Sequence, residues 1–243
     1  MRIQTIQTTT TQIMMTKKRP LHYRHEFKFT ISYHEDFLLS SKLKHLLKSD
    51  GHANSQGFYP VSSLYFDTPE DRALRQKIDG INRREKFRIR YYGHDLSFFK
   101  LERKLKINGL TAKQSTRLHY DEVKRILEGD PEFLLFKEDP LAQEFYAKIK
   151  GQRLSPSSIV QYDREAFLYP PGNVRITFDR RLRTGPPHLF LEDSKTLHNI
   201  SENITVLEIK YDEFLPDVIR ALVQIPHRQH RAFSKYAYSR QLD

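Results

Sequence analysis

Residues 86–107 read KFRIRYYGHDLSFFKLERKLKI, and this segment contains two runs in which charged and apolar residues alternate. Side chains two positions apart on a strand lie on the same face of the sheet. Each run therefore predicts a strand with one apolar face and one charged face. Asn108-Gly109 follows directly and is a strong signal for a tight hairpin turn. Residues 110–118 are expected to return as the partner strand.

Further strands and helices are predicted on both sides of this segment. A period of two, or a short apolar run, predicts strands at residues 23–31, 61–66, 158–167, 174–182, 189–191 and 206–211. Helical spacing predicts helices near residues 33–47, 68–78, 122–128, 141–150 and 216–224. Ser32 and Glu35 have capping-box spacing before the first helix, and Pro69 is expected at the first position of the second.

Composition limits the class of protein. The chain has 243 residues and a formal net charge of +11, which favours one basic domain, from residue 21 to residue 243, with a polyanionic partner. The Thr/Gln-rich residues 1–20 are expected to form a disordered arm. The absence of Cys excludes a disulfide scaffold, a thiolate metal site and a cysteine nucleophile. No segment approaches the roughly 20 apolar residues that span a bilayer, so we expect a cytoplasmic protein. Peripheral attachment to the inner face of the membrane stays open.

The charged faces of the predicted strands share one feature, which is that almost every strand contributes Arg or Lys. For any single strand, a charged face exposed to water remains the simpler interpretation. Taken together, so many like charges would repel each other unless a bound anion neutralised them. Four strands also contribute a carboxylate, which would let a divalent metal join phosphate groups. The cations are Arg24, Lys28, Lys86, Arg88, Arg90, Lys100, Lys104, Lys106, Arg164, Arg175 and Lys210, and the carboxylates are Glu26, Glu102, Asp179 and Glu208.

Strands joined by short turns, with helices in separate blocks, predict an α+β fold with a mostly antiparallel sheet. If this sheet closes into a barrel, the apolar faces lie outside under the helices and the charged faces line a tunnel. A tunnel lined in this way would suit a chain of phosphates. Because the chain has only 9 Gly and no glycine-rich phosphate loop, side chains would have to do the binding.

Several motifs, in the same order along the chain, resemble the VTC domain, the polyphosphate polymerase branch of the triphosphate tunnel metalloenzymes. They are RHEFK at 24–28, SLYFDTP at 63–69, EKFRIRY at 85–91, LERK at 101–104, NVRITFD at 173–179, LEIKYDEFLP at 207–216 and FSKY at 233–236. The resemblance implies an antiparallel tunnel barrel that transfers the γ-phosphoryl group of ATP onto growing polyphosphate. It also implies Mn²⁺ or Mg²⁺ as cofactor, and ATP and inorganic polyphosphate as partners.

The resemblance implies a role for each matched residue. Glu208 is the expected principal metal ligand, whereas Glu26 and Glu102 either support the metal or pair with neighbouring lysines. Lys28 is also expected to assist proton transfer if neighbouring cations lower its pKa. The expected catalytic residues are Lys28, Arg88, Arg90 and Arg175, and the expected substrate ligands are Lys104, Arg164, Lys210, Ser234 and Lys235.

One departure from the superfamily pattern bears on the reaction. Hydrolase and cyclase members begin with Glu-x-Glu-x-Lys, but here Arg24 stands at the first Glu position. A lost carboxylate weakens the case for a metal-activated water, and so favours a polymerase. An inorganic or RNA 5′-triphosphatase and a non-catalytic polyphosphate binder remain alternatives. Nucleic acid is not expected as a partner, because the aromatic residues are expected opposite the charges and no RNA-binding signature is present.

Overall fold

The computed structural model describes residues 21–192, 196–201, 203–224 and 233–241. The expected arm at residues 1–20 lies outside these ranges. The strands are β1 Tyr23–Ser32, β2 Lys48–Ser49, β3 Tyr59–Asp67, β4 Arg84–Tyr92, β5 Phe99–Ile107, β6 Leu110–Leu118, β7 Ser155–Tyr169, β8 Val174–Gly185, β9 His198–Asn199 and β10 Ile204–Tyr211. The helices are α1 Tyr33–Leu46, α2 Arg72–Ile78, α3 Tyr120–Leu127, α4 Pro140–Gln152, α5 Asp217–Leu222 and α6 Lys235–Ser239.

Eight of the described strands close into an antiparallel barrel in the order β3-β4-β5-β6-β1-β10-β8-β7. The pairing of β7 with β3 and with β8 completes the ring. The short strands β2 and β9 add to β7 and β8 outside the ring. The predicted α+β fold, an antiparallel barrel with helices packed on its outside, is therefore confirmed.

The hairpin between β5 and β6 forms where the sequence predicts it. Ile107 pairs with Leu110 across the turn. Asn108 has a φ of 51° and Gly109 a φ of 81°, so both residues occupy the left-handed region. Asn and Gly tolerate this region better than other residues, which is why this dipeptide can form a two-residue turn that matches the twist of the strands.

The apolar faces of the strands form the core between barrel and helices. On one side, Ile89 and Leu101 pack with Val123 of α3 and Phe145 of α4. On another side, Ile176 and Leu207 pack with Leu43 of α1 and Ile219 of α5, in a separate cluster. Because these outward faces are buried by helices, the alternating charged faces must point into the barrel.

Two local predictions differ from the structure. Helix α2 begins at Arg72 and not near Thr68, because the Asp67 carboxylate accepts bonds from the backbone amides of Thr68 and Ala73 and holds this turn outside the helix. Residues 189–191 belong to a 3-10 helix and not to a strand, since this segment turns to bury Phe190 against the core. The tail, undecided in the sequence, forms α6.

The capping box predicted before α1 is present. The Ser32 side chain accepts a bond from the Glu35 amide, and the Glu35 carboxylate accepts one from the Ser32 amide. No described helix is both long and apolar enough to cross a membrane.

Candidate active site inside the barrel

Strand register brings the predicted ionic residues together on the inner face of the barrel. Arg88 pairs with Glu102 of β5 on one side and with Tyr65 of β3 on the other. Lys28 pairs with Glu208 across β1 and β10. Since alternate residues of each strand share a face, the other inward positions follow from these pairs.

These side chains surround a central cavity of about 40 Å³. Among the described residues, eight cations line it, and their charge exceeds that of the four carboxylates beside them. A polyanion entering the barrel would therefore meet a net positive field. The lining cations are Lys28, Lys86, Arg88, Arg90, Lys104, Arg164, Lys210 and Lys235.

Glu26 and Glu208 form one ionic group with three lysines. The Lys28 Nζ atom lies 2.7 Å from Glu26 Oε1 and 3.1 Å from Glu208 Oε2, so this ammonium bridges the two carboxylates. Lys104 binds both oxygens of Glu26, and Lys210 contacts the other oxygen of Glu208. Burial opposes ionisation of Glu208, but Lys210 and Lys28 hold its pKa well below the ordinary range.

The donor set of this group fits a hard divalent cation that is completed by substrate. Mg²⁺ and Mn²⁺ bind oxygen ligands and often take only one or two carboxylates, with substrate phosphates supplying the rest. Glu208 and Glu26 supply two ionised carboxylates that share one neighbour, Lys28. Among the described residues, no group of three His, Asp or Glu side chains is arranged to hold a metal by itself.

Glu102 lies in a second ionic group, separate from Glu26. Its Oε2 atom accepts bonds from Arg88 at 2.7 Å and 2.6 Å, and its Oε1 atom lies 3.0 Å from Lys113 Nζ. Cations engage both oxygens, as they do in Glu208, but Glu102 does not line the central cavity, whereas Glu208 does, which supports the ion-pair interpretation of Glu102. Arg90 donates to Ser63 Oγ at 2.9 Å and to the Tyr162 hydroxyl at 3.1 Å, so its guanidinium is fixed by neutral groups.

A third ionic group places the C-terminal Lys235 in the barrel. Asp179 is fully buried, and its carboxylate binds Arg164 at 2.7 Å and 2.8 Å and Lys235 at 2.6 Å. Burial opposes ionisation, yet these two cations lower the pKa of Asp179 to about 2. Asp179 therefore orients two predicted substrate ligands that are distant in sequence, Arg164 of β7 and Lys235 of α6.

The structure keeps two predicted site residues apart from the cavity. Arg175 pairs with Asp50 at 2.5 Å and with the Tyr59 hydroxyl at 2.9 Å, and it does not line the central cavity. Ser234 caps α6 and lines an adjoining pocket that it shares with Lys28 and Lys104.

The titration expected for Lys28 is wrong. Although burial acts to lower the pKa of Lys28, the carboxylates Glu208 and Glu26 raise it far above its ordinary value. Lys104 behaves in the opposite way, because burial outweighs the effect of Glu26 and lowers its pKa to about 7. Burial likewise lowers the pKa of Lys86 to about 8. Lys104, one of the expected substrate ligands, thus has a pKa close to neutral pH.

Sequence analysis missed the aromatic residues inside the barrel, since it expected them opposite the charges. Tyr65 lines the cavity, accepts a bond from Arg88 at 3.2 Å and stacks on Tyr236 with ring centroids 5.0 Å apart. Burial would raise the pKa of Tyr65, but Lys86, Arg88 and Arg90 lower it to about 6. Alternation within β3 could not have shown this, because Tyr65 comes among the cations through the pairing of β3 with β4.

A closed barrel with a cationic interior and ionised carboxylates is suited to binding polyanions. Residues 23–242 match the family model of the VTC domain. This match covers most of the chain, so the protein belongs to the VTC domain family. The family and the tunnel support a function that involves polyphosphate or triphosphate groups.

Solved structures with a similar chain path were also found. The PH1819 protein from Pyrococcus horikoshii OT3 is 12% identical over 90% of this chain and 100% of that chain, with a TM-score of 0.48. The PH1012 protein from the same organism is 13% identical over 87% of this chain and 96% of that chain, with a TM-score of 0.46. At these values, neither similarity carries an inference about this chain. No curated protein matches it.

Proposed function

We propose that this protein is an ATP-dependent polyphosphate polymerase that transfers the γ-phosphoryl group of ATP onto polyphosphate inside the barrel. The observation that carries the proposal is the ring of eight described cations around the central cavity, with Glu208 and Glu26 beside it. Phosphoryl transfer depends mainly on positioning and charge stabilisation, because little covalent chemistry falls to the protein.

In this proposal, the two arginines of β4 hold the transferred group. Arg90 is buried and Arg88 is partly buried on the inner face, and planar guanidinium groups bind two phosphate oxygens at once. Arg164 and Lys235 also line the cavity, where Asp179 fixes their positions, and Arg164 shares the Tyr162 hydroxyl with Arg90. Phosphates on either side of the reacting bond would contact these two pairs.

The lysines around Glu26 and Glu208 would bind the remaining phosphate oxygens as point charges. Glu208, with Glu26 beside it, would hold a Mn²⁺ or Mg²⁺ ion, which would supply positive charge to offset that of the phosphates. The terminal phosphate of the acceptor is already largely ionised near neutral pH, so the transfer needs no dedicated base. Arg175 and Ser234 would contact the phosphate chain away from the reacting bond.

The position of Arg24 favours the polymerase over the triphosphatase. The Arg24 Nε atom lies 2.7 Å from Asp212 Oδ1, and its Nη2 atom donates to the carbonyl of Asn173. At the position where the hydrolase pattern has a carboxylate, this chain therefore has a cation, and that cation is paired at the end of the barrel. Because polymer growth uses a phosphate oxygen as nucleophile, it has no need for a second carboxylate to activate water.

The deciding experiment follows the fate of the γ-phosphate. Purified protein is incubated with γ-labelled ATP and Mn²⁺, and the products are separated by size. We expect label in chains of many phosphates together with ADP. Release of the label as orthophosphate alone would establish the triphosphatase instead. Binding of polyphosphate without any consumption of ATP would establish the non-catalytic binder.

A matched pair of variants tests the role assigned to the tunnel. Lys124→Ala removes a lysine of the outer helix α3 whose side chain is about half exposed (57%), whereas Lys210→Ala removes one that lines the cavity. Polymer formation should fall much further in Lys210→Ala than in Lys124→Ala. Equal activity in the two variants would contradict a reaction inside the barrel.

A further inference from the structure

A group of cations and aromatic rings lies at one end of the barrel, beyond the residues assigned above. Tyr92, Lys100 and Arg117 lie at the ends of β4, β5 and β6 opposite the Asn108-Gly109 turn, and Phe98 directly precedes β5. By alternation, Tyr92 and Lys100 share the face of Arg90, and Lys100 pairs with Arg117. These four residues, which we call the collar, therefore surround a mouth of the tunnel.

Cation–aromatic contacts connect the collar to the cavity. Arg90 lies 5.9 Å from the ring centroid of Tyr92, and Lys100 lies 5.3 Å from the same ring. Lys100 is also 5.9 Å from the Phe98 ring, over which the Arg117 guanidinium lies at 4.8 Å. The contacts thus form a continuous series from a buried phosphate-binding arginine to the rim.

The cations of the collar differ from those of the cavity. In the part of the chain that the structure describes, neither Lys100 nor Arg117 forms an ion pair within 4 Å, although Arg117 does act on the carboxyl of Asp95 through space. Phe98 and Tyr92 are only partly buried. The collar therefore offers ring surface and positive charge together, which a bare phosphate chain does not require.

We infer that the collar binds the base and the inner phosphate of the nucleoside triphosphate donor. This inference rests on the proposed function for the identity of the donor and adds a base-recognition site to it. The four-residue step from Arg88 to Tyr92 spans about 13 Å of strand. A nucleotide whose terminal phosphate lies at Arg88 and Arg90 would then extend its base to Phe98 and Tyr92. Bases stack on aromatic rings and on guanidinium planes, and Phe98 with Arg117 supplies both.

The experiment compares two ligands that share a triphosphate and differ in the nucleoside. Calorimetry with Mg²⁺ measures the Kd of the β,γ-imido analogue of ATP and of inorganic tripolyphosphate. We expect the wild-type protein to bind the nucleotide more tightly. Phe98→Ala should weaken nucleotide binding by about tenfold, with tripolyphosphate affinity changed less than about twofold. Phe98→Tyr retains a ring and should preserve nucleotide affinity, and Phe136→Ala removes an exposed ring (81%) elsewhere as the matched control.

Several results would overturn the inference. One is equal affinity of the wild-type protein for the ATP analogue and for tripolyphosphate. Another is a Phe98→Ala variant whose affinities for the two ligands fall by the same factor. Weaker binding of long polyphosphate alone in that variant would make the collar a path for the polymer. Because the readout is binding, it is independent of turnover. A protein that binds the nucleotide through Phe98 but makes no polymer would refute the proposed function and leave the collar assignment in place.

Discussion

Lys104 of β5 binds both carboxylate oxygens of Glu26 of β1, at 2.7 Å and 2.6 Å. Strand β6 lies between β5 and β1 in the barrel, so this ion pair spans an intervening strand on the inner face. The pair joins a predicted substrate ligand to a predicted metal ligand. It also places the titratable lysine of the site directly beside the carboxylates.

The charge of Lys104 should make phosphate binding depend on pH. Burial lowers the pKa of Lys104 to about 7, so the ammonium is present below that value and lost as the pH rises above it. We expect the affinity for tripolyphosphate to weaken above pH 7 by up to about tenfold per pH unit, relative to Lys104→Arg, which stays charged. Calorimetric titrations from pH 6 to pH 9 measure this difference. Parallel profiles for the two proteins would show that Lys104 does not titrate in this range.

Arg90 should be required for polymer formation. Its guanidinium is buried beside the cavity, and the loss of one oriented donor to developing charge typically lowers a rate by about 10²–10³. We therefore expect a loss of this size in ATP-dependent polymer synthesis by Arg90→Ala. Arg103→Ala is the control, because Arg103 belongs to the outward face and pairs there with Glu85 and Glu144. Both variants should show a cooperative thermal transition, and undiminished synthesis by Arg90→Ala would contradict the mechanism.

Glu208 and Glu102 should differ in their effect on the metal requirement. Glu208→Gln removes a proposed ligand, so the Mn²⁺ concentration for half-maximal activity should rise at least about tenfold. Glu102→Gln should leave that concentration nearly unchanged, since Glu102, unlike Glu208, does not line the central cavity and is held by Arg88 and Lys113. Activity measured across a Mn²⁺ series tests both. If the Mn²⁺ concentration for half-maximal activity rose more in Glu102→Gln than in Glu208→Gln, the metal site would instead lie in the second ionic group.

Asp179 should be important for stability. Asp179→Asn leaves the buried cations Arg164 and Lys235 without their carboxylate, which typically costs about 3–5 kcal/mol. Asp217→Asn, at an exposed position of α5, is the control and should have little effect on urea unfolding. The pKa of Asp179 is depressed to about 2, below the ordinary value of 3.8. Its contribution is therefore complete above the ordinary pKa and lost as the pH falls through 2. Equal unfolding midpoints for the two variants would contradict this account.

Much of the site could be predicted because the information is local. Alternation places Arg88, Arg90, Glu102 and Lys104 on one face of a hairpin, whatever the rest of the fold does. The same rule could not reveal that Arg175 turns to Asp50, or that Tyr65 lies among the cations. Those outcomes depend on which strand arrives as neighbour, and these partners are distant in sequence: 125 positions separate Asp50 from Arg175.

By itself, the sequence determined the faces of the strands, the turn at Asn108-Gly109 and the surplus of positive charge, since each follows from backbone geometry or composition over a few residues. Only the tertiary structure decided which carboxylate meets which ammonium. Pairing of β7 with β8 closes the ring, and closure brings Asp179 to Arg164 while α6 delivers Lys235 to the same carboxylate. Pairing of β1 with β10 gives Lys28 a second carboxylate, Glu208, and this contact separates its titration from that of Lys104, although both lysines are buried and bind Glu26.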